Sequence, residues 1–128
     1  MKISKKRNLV DPPPEERVAL LLRLREGNHE AFEAIYDRYY GVARMYAQKL
    51  VCEENSHDVT MIAFSKVWEK RERFKTWPHL IGFIYKATRN ACLTWLRKEK
   101  NENKKRKHYS KHLLTRDNDN NQDIHDQV

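Results

Sequence analysis

Aromatic and basic side chains alternate through the middle of the chain, from Trp68 to Asn90. Basic groups attract the phosphate backbone, and aromatic faces accept unstacked bases at about 1–3 kcal/mol each. The amide of Asn90 offers a donor and an acceptor to the edge of a base. The stretch therefore predicts a site for single-stranded nucleic acid. For Phe74 and Trp77, near an expected loop, contact with such a partner and burial are open alternatives. Three further aromatic residues are expected in the core instead: Trp68, Phe83 and Trp95.

No catalytic or metal-binding constellation accompanies these residues. The sequence has no metal-protease histidine pair with a glutamate, no nucleophile elbow and no convincing acid pair. His108 and His112 stand four residues apart, but in a lysine-rich segment without further ligands. Cys52 and Cys92 form neither a disulfide framework nor a zinc cluster. We therefore expect a protein without enzymatic activity, cofactor or metal, in the reducing cytoplasm.

The charge of the chain is divided between an acidic and a basic part. Its 128 residues carry 26 Lys and Arg against 18 Asp and Glu, a net charge of +8. Residues 11–58 hold ten acids and six bases, whereas residues 77–112 hold ten bases and two acids. This asymmetry favours a polyanionic partner for the basic part, and a solvated helix face is the alternative. No apolar run approaches the roughly 20 residues that cross a membrane, so no membrane partner is expected.

Hydrophobic periodicity predicts an all-α domain, a compact bundle of about four helices. The prolines at 12–14 precede the first helix, and Gly27 ends it in a left-handed conformation. Asn28 is expected to cap the second helix. The apolar residues of that helix recur at steps of three and four from Phe32 to Leu50.

Capping residues also predict where the later helices begin. Asn55 and Ser56 are expected to cap the third helix, and Pro78 suits the first turn of the fourth. Polar and charged segments without enough apolar area stay unfolded. The chain is accordingly expected in three parts: a disordered basic tail at 1–11, the helical domain at 12–108, and a disordered polar tail or linker at 109–128.

Three motifs follow one another at residues 22–40, 58–68 and 83–97: LRLREGNHEAFEAIYDRYY, DVTMIAFSKVW and FIYKATRNACLTWLR. The first resembles a Gly-Asp-x-x-Ala-Phe and Leu-Tyr-x-x-Tyr pattern, the second a polymerase-binding helix, and the third a promoter-melting helix. All three patterns are those of region two of the extracytoplasmic-function (ECF) sigma factors, in the sigma-seventy family. The resemblance runs from about Leu20 to Lys100, and the order and spacing of the motifs make it fairly specific.

The resemblance implies a sigma factor that binds core RNA polymerase and recognises and melts the −10 promoter element. In the family, the second and third helices dock on the clamp helices of the largest polymerase subunit. The loop before the fourth helix, with that helix, captures a flipped base of the single-stranded −10 region. An anti-sigma factor is a further partner. The residues that match the polymerase face or its support are Asp58, Phe64 and Trp68. Those that the resemblance assigns to the −10 face are Tyr85, Lys86, Arg89, Asn90 and Arg97. Phe74 and Trp77 are added to this face from the aromatic and basic stretch described above.

Departures from the family pattern motivate a second hypothesis. Met61 and Ile62 stand where the family often has Gln-Glu. Nothing after Lys107 is expected to form the helix-turn-helix domain that binds the −35 element. The alternative is a truncated sigma-like interaction module, which binds polymerase or an anti-sigma factor without promoter-specific initiation. A third interpretation is a basic helical protein that coats nucleic acid without specificity.

Overall fold

The computed structural model describes the backbone of residues 11–114 and the side chains of residues 11–107. Within 11–114 there is no strand, and the elements are α1 Pro14–Arg25, α2 His29–Ala47, α3 Glu53–Glu69, a 3₁₀ turn Arg71–Arg73 and α4 Trp77–Leu114. The prediction of an all-α fold with about four helices is confirmed. The chain divides into two compact units after Leu93, so α4 belongs partly to each. Of the predicted tails at 1–11 and 109–128, residues 1–10 and 115–128 lie outside the described residues.

Gly27 ends α1 as the sequence predicts. Its φ of +87° lies in the left-handed region. The Gly27 N–H donates to the carbonyl of Leu24, and the Asn28 N–H donates to the carbonyl of Arg23, both at 2.9 Å. These two bonds form a Schellman motif, which satisfies carbonyls that a helix end leaves open. The side chain of Asn28 then accepts from the Ala31 N–H at 2.8 Å and caps α2, also as predicted.

Gly27→Ala is expected to lower the free energy of unfolding by about 1–2 kcal/mol, because an L residue is strained at this φ. An added Cβ would meet Arg71 only at 3.7 Å, an ordinary contact, so the cost comes from the backbone. Gly41→Ala is the matched control, since a Cβ at Gly41 meets nothing within 4 Å. Gly41 lies in the interior of α2, where alanine is expected to raise the free energy of unfolding by about 0.5–1 kcal/mol. Urea denaturation followed by circular dichroism measures both, and equal effects would contradict the expectation.

The third helix begins earlier than the sequence predicts. It starts at Glu53 with Cys52 as its N-cap residue, so the assignment of Asn55 and Ser56 as caps is wrong. Ser56 is fully buried, and its hydroxyl donates to the Glu53 carbonyl at 2.8 Å and accepts from Arg44 Nε at 3.0 Å. The serine therefore ties α3 to α2 from within the first turn, and its side chain is not free to cap the helix.

A single hydrophobic cluster joins the helices of the first unit. Its buried members are Leu20, Leu21, Leu24, Ala31, Ile35, Tyr39, Ala43, Phe64, Val67, Phe74, Trp77, Leu80 and Ile84. Thr76 Oγ1 accepts from the His79 N–H at 3.2 Å where α4 begins, and Pro78 lies in the first turn as predicted. Each fully buried large apolar side chain contributes about 1.5–3 kcal/mol. Their burial therefore fixes the start of α4 against the other helices.

The second unit contains the carboxyl-terminal part of α4. The helix continues to Leu114, six residues past the boundary at 108 that the sequence predicts. No glycine or proline follows Gly82, and lysine, arginine and glutamate are good helix formers, so no local signal ends α4 near residue 108.

Among the residues that the structure describes, no helix has the length and hydropathy needed to span a bilayer.

Candidate nucleic-acid interface

A surface cavity of about 450 Å³ opens where the 3₁₀ turn meets the start of α4. Six residues of this junction line it: Glu72, Arg73, Phe74, Lys75, His79 and Phe83. Phe74 directly follows the turn in extended backbone conformation, with φ −83° and ψ 112°. Its ring packs edge-on against His79, with centroids 5.2 Å apart, and tilted against Phe83 at 5.0 Å. The cavity therefore has an aromatic wall built from both sides of the junction.

The rim of this cavity is mainly basic. Arg73, Lys75 and His79, called the rim residues below, are all exposed, and Glu72 is the one carboxylate among the lining residues. Basic side chains at an open cavity attract the phosphates of a nucleic acid. The volume falls within the roughly 300–1,000 Å³ of ligand clefts, so the cavity is large enough for one unstacked base. Its basic rim favours an anionic ligand over a neutral one.

The two loop aromatic residues assigned to the −10 face are buried. Phe74 is 1% exposed and Trp77 is 7% exposed. Trp77, in the first turn of α4, packs against Tyr39 with ring centroids 6.2 Å apart. The segment between the 3₁₀ turn and α4 directs both rings into the core, so neither presents a free face to a base. Both rings are therefore part of the core, and of the two only Phe74 lines the cavity. Their assignment to the −10 face stays a prediction.

Four of the other residues assigned to the −10 face lie on α4 within the first unit. Lys86, Arg89 and Asn90 are exposed. Tyr85 is half-buried, and its ring packs edge-on against a tyrosine of α2 at 5.9 Å. Spacings of three and four place Lys86 beside both Arg89 and Asn90 on the helix surface. Arg97 is exposed and belongs to the second unit.

The cavity and this group of polar residues share one face of α4. His79, Phe83, Lys86 and Asn90 follow one another at steps of four, three and four. At about 100° per residue, these steps keep all four within roughly 60° of arc. Sequence reasoning assigned none of the rim residues to the site. Helical spacing from His79 to Asn90 was a signal for His79, whereas Arg73 and Lys75 precede α4 and no helical spacing connects them to it.

The three residues assigned to polymerase binding all belong to α3. Asp58 is exposed, whereas Phe64 is 1% exposed and packs in the core. Trp68 is half-buried and stacks on His29, with centroids 4.7 Å apart and planes at 17°. The Arg71 guanidinium lies 4.3 Å from the centroid of the Trp68 ring. Trp68 therefore joins α3 to the start of α2 and to the 3₁₀ turn.

A second group of side chains links α2 and α3 at the surface. Tyr36 Oη donates to Met61 Sδ at 3.3 Å, and Tyr40 Oη is hydrogen-bonded to His57 Nδ1. Met61 is 40% exposed and its neighbour Ile62 is 47% exposed. Burial is the main cause that raises the pKa of Tyr36, and the neighbouring Tyr40 adds to it. These five residues define the α2–α3 surface, which carries apolar area between polar groups.

Tyr39 connects the segment before α1 to the core. Its hydroxyl donates to the Asp11 carboxylate. Pro12 beside it is buried, and the Pro12 carbonyl accepts from Arg17 Nε at 2.7 Å. Burial, followed by the bond to Asp11 and its charge, raises the pKa of Tyr39 well above the ordinary value of 10.0. Because Trp77 packs on the same tyrosine, Tyr39 links the start of the described chain to the start of α4.

The stability of the domain is expected to decline as the pH rises above about 10. In the unfolded chain Tyr39 ionises near its ordinary pKa of about 10, whereas the folded chain keeps it protonated. The contribution of Tyr39 to the free energy of unfolding is therefore fully present below that pH and is lost progressively above it. Tyr39→Phe should lower the free energy of unfolding by about 1 kcal/mol at neutral pH, because a hydrogen bond is lost. The stability of this variant should fall less steeply than that of the wild type as the pH rises. Parallel stability curves for the two proteins from about pH 9 to 11, measured by urea denaturation, would contradict this.

An all-α domain with a basic cavity beside a row of polar helix residues has the features of a nucleic-acid-binding module. The model of the family Sigma-70 region 2 matches residues 31–102, more than half of the chain. The chain therefore belongs to the sigma-70 family through this region. No curated protein and no solved structure gives a significant match.

Membership of this family supports a non-catalytic role in transcription initiation, in which region 2 binds polymerase and melts promoter DNA. The matched residues include the whole second and third motifs, the cavity and the α2–α3 surface. The match begins at Ala31, within the first motif. Helix α4 continues for twelve residues beyond the match, from residue 103 to Leu114. Within residues 11–107, no group of three His, Cys, Asp or Glu has a geometry that could hold a metal ion.

Proposed function

We propose that the chain is the region-2 domain of an ECF-type sigma factor that works in the cytoplasm and holds a flipped base of the −10 element in the cavity. The observation that carries this proposal is the shared face of α4, on which His79 and Phe83 line the cavity and Lys86 and Asn90 continue it. A strand whose flipped base enters the cavity would run its neighbouring nucleotides along this face. Sequence-specific and backbone contacts would then lie side by side.

The rim residues and the residues of this face have distinct physical tasks. The rim residues bind phosphates on either side of the flipped base, which gives affinity without sequence information. The cavity accepts the base, whose unstacking costs a few kcal/mol. Asn90 reads a base edge through its amide, and Lys86 and Arg89 hold the backbone. Tyr85 is a further contact of the −10 strand, and the assignment of Arg97, which belongs to the second unit, stays a prediction from the sequence.

The α2–α3 surface is the proposed docking site for the clamp helices of core polymerase. Asp58 lies on the same helix as the exposed Met61 and Ile62, and Phe64 and Trp68 support it. The apolar area of Met61 and Ile62 gains free energy when a partner covers it. An anti-sigma factor that competes for polymerase binding would use the same surface.

The role of Asn90 is tested with single-stranded DNA. A fluorescein-labelled strand is first selected by the full chain from a randomised pool, and its scrambled version serves as the reference. Asn90→Ala should reduce the preference for the selected strand about tenfold, because a good amide–base pair is worth about 1–3 kcal/mol. Gln48→Ala, which removes an exposed amide at the C-cap of α2, should leave the preference unchanged. Equal losses of affinity on both strands would refute base recognition by Asn90.

A second candidate function is a polymerase-binding or anti-sigma-binding module without promoter-specific initiation. The exposed apolar pair Met61 and Ile62, where the family often has Gln-Glu, favours a partner surface different from the usual one. A pull-down with core polymerase followed by run-off transcription separates the candidates. Retention without a transcript supports the interaction module, and a transcript supports the sigma factor.

A further inference from the structure

The cavity at the start of α4 contains one carboxylate among basic and aromatic side chains. Glu72, in the 3₁₀ turn, lines it together with the rim residues and two phenylalanines. Among the described side chains the Glu72 carboxylate has no hydrogen-bonding or ionic partner, although Arg73 and Lys75 border the same cavity. Both of its oxygen atoms are therefore available to a ligand that enters the cavity.

The four bases of DNA differ in what their Watson–Crick edges offer to a carboxylate. An ionised carboxylate only accepts hydrogen bonds, and its two oxygens can take two parallel N–H donors. Guanine alone presents two adjacent donors, the N1–H and the 2-amino group. Adenine and cytosine place one amino group beside a ring nitrogen that accepts, and thymine has one N–H between two carbonyl groups. A carboxylate in the cavity therefore fits guanine better than the other three bases.

The basic and aromatic parts of the cavity fit the same base. The O6 and N7 atoms of guanine are acceptors that arginine and lysine commonly contact. A rim residue that binds no phosphate can donate to these atoms while Glu72 accepts from the neighbouring edge. Phe83 is half-buried in the aromatic wall, and a purine ring can stack on its accessible part. Acceptor, donors and ring surface are thus all present for one base.

We propose that Glu72 makes the cavity selective for guanine, by accepting hydrogen bonds from the N1–H and the 2-amino group of the flipped base. This inference rests on the proposed function and names the base that the proposed function leaves open. Glu72 is then the specificity-determining residue of the cavity, whereas the rim residues bind phosphates whatever the base. Asn90 reads a different base, because it does not line the cavity.

Short single strands test this selectivity with the full chain. Four fluorescein-labelled thymidine heptamers carry guanine, hypoxanthine, adenine or cytosine at the central position, and fluorescence anisotropy gives the affinity for each. Hypoxanthine keeps the ring, the O6 and the N1–H of guanine and lacks only the 2-amino group. The chain should bind the guanine strand about five- to tenfold more tightly than the hypoxanthine strand. In Glu72→Gln this ratio should fall below about twofold, because an amide has only one oxygen to accept the two donors.

Glu69→Gln is the matched control. Glu69 is exposed at the end of α3, three residues from Glu72, and does not line the cavity. Both variants lose one negative charge, so both should bind every strand slightly more tightly. Only Glu72→Gln should change the ratio of guanine to hypoxanthine affinity. An unchanged ratio in Glu72→Gln, an equal fall in both variants, or tighter binding of the adenine or cytosine strand than of the guanine strand would overturn the proposal.

A second pair of variants tests whether the strand enters the cavity at all. Lys75→Glu should weaken the binding of all four strands more than Lys66→Glu, since Lys66 is an exposed residue of α3 that does not line the cavity. This result without a preference for guanine would refute the role of Glu72 and leave the −10 site in place. Equal weakening by the two variants would mean that the strand binds elsewhere, and the proposed function would then fail together with this inference.

Discussion

Replacing Phe74 by alanine is expected to lower the free energy of unfolding by about 3–5 kcal/mol, the usual cost of deleting a buried aromatic ring. Phe74 is 1% exposed, and its ring contacts both His79 and Phe83. Its loss would leave a hole between the 3₁₀ turn and α4. A domain of this size is stable by only about 5–15 kcal/mol, so the midpoint of urea denaturation should fall sharply. Lys75→Ala, one residue away and exposed, should change stability by less than about 0.5 kcal/mol.

A second substitution separates a core role of Phe74 from stacking on DNA. Phe74→Leu keeps a large apolar side chain in the core and should still fold, at a smaller cost than alanine. If Phe74 only supports the cavity, the affinity of this variant for single-stranded DNA should stay within about twofold of wild type. A ring that stacks on a base would lose about 1–3 kcal/mol, at least a fivefold weakening. That larger loss, in a variant that stays folded, would restore Phe74 to the DNA contacts.

The helix boundaries that the sequence predicts correctly depend on local chemistry. Gly27 and Asn28 act on their own backbone neighbours, through a left-handed φ and a cap bond to Ala31. Such signals need no knowledge of the remaining fold. The start of α3 was predicted wrongly for the opposite reason. Ser56 has the residue type of a cap, but contact with Arg44 of α2 buries it.

The candidate site shows the same division between local and tertiary information. Helical spacing correctly placed Lys86, Arg89 and Asn90 on the surface of α4. The direction of Phe74 and Trp77 depends on the 3₁₀ turn and the extended residues after it, where neither helical nor strand periodicity applies. Likewise, the pairing of α2 with α3 at the α2–α3 surface depends on the register of two helices, which the spacing within each helix does not determine.

Substituting lysine for both Met61 and Ile62 is expected to weaken binding to core RNA polymerase about 30- to 1,000-fold. The two side chains are 40% and 47% exposed, so the folded chain tolerates the change with little loss of stability. Docking of the α2–α3 surface would bury this apolar area, and two buried lysines would cost about 2–4 kcal/mol together. Biolayer interferometry with immobilised core polymerase measures the dissociation constant, and urea denaturation of the same variant confirms that it is folded.

The matched control changes an exposed apolar pair on a different helix. Val18 and Leu22 of α1 are 65% and 45% exposed and stand four residues apart. Replacing both with lysine adds the same charge but leaves the α2–α3 surface intact, so polymerase affinity should stay within about threefold of wild type. An equal loss in both double variants would mean that added charge, rather than the location, weakens binding. Unchanged binding in the Met61 and Ile62 variant would place the polymerase contact elsewhere, because two charged side chains cannot be buried in an apolar contact without a large cost.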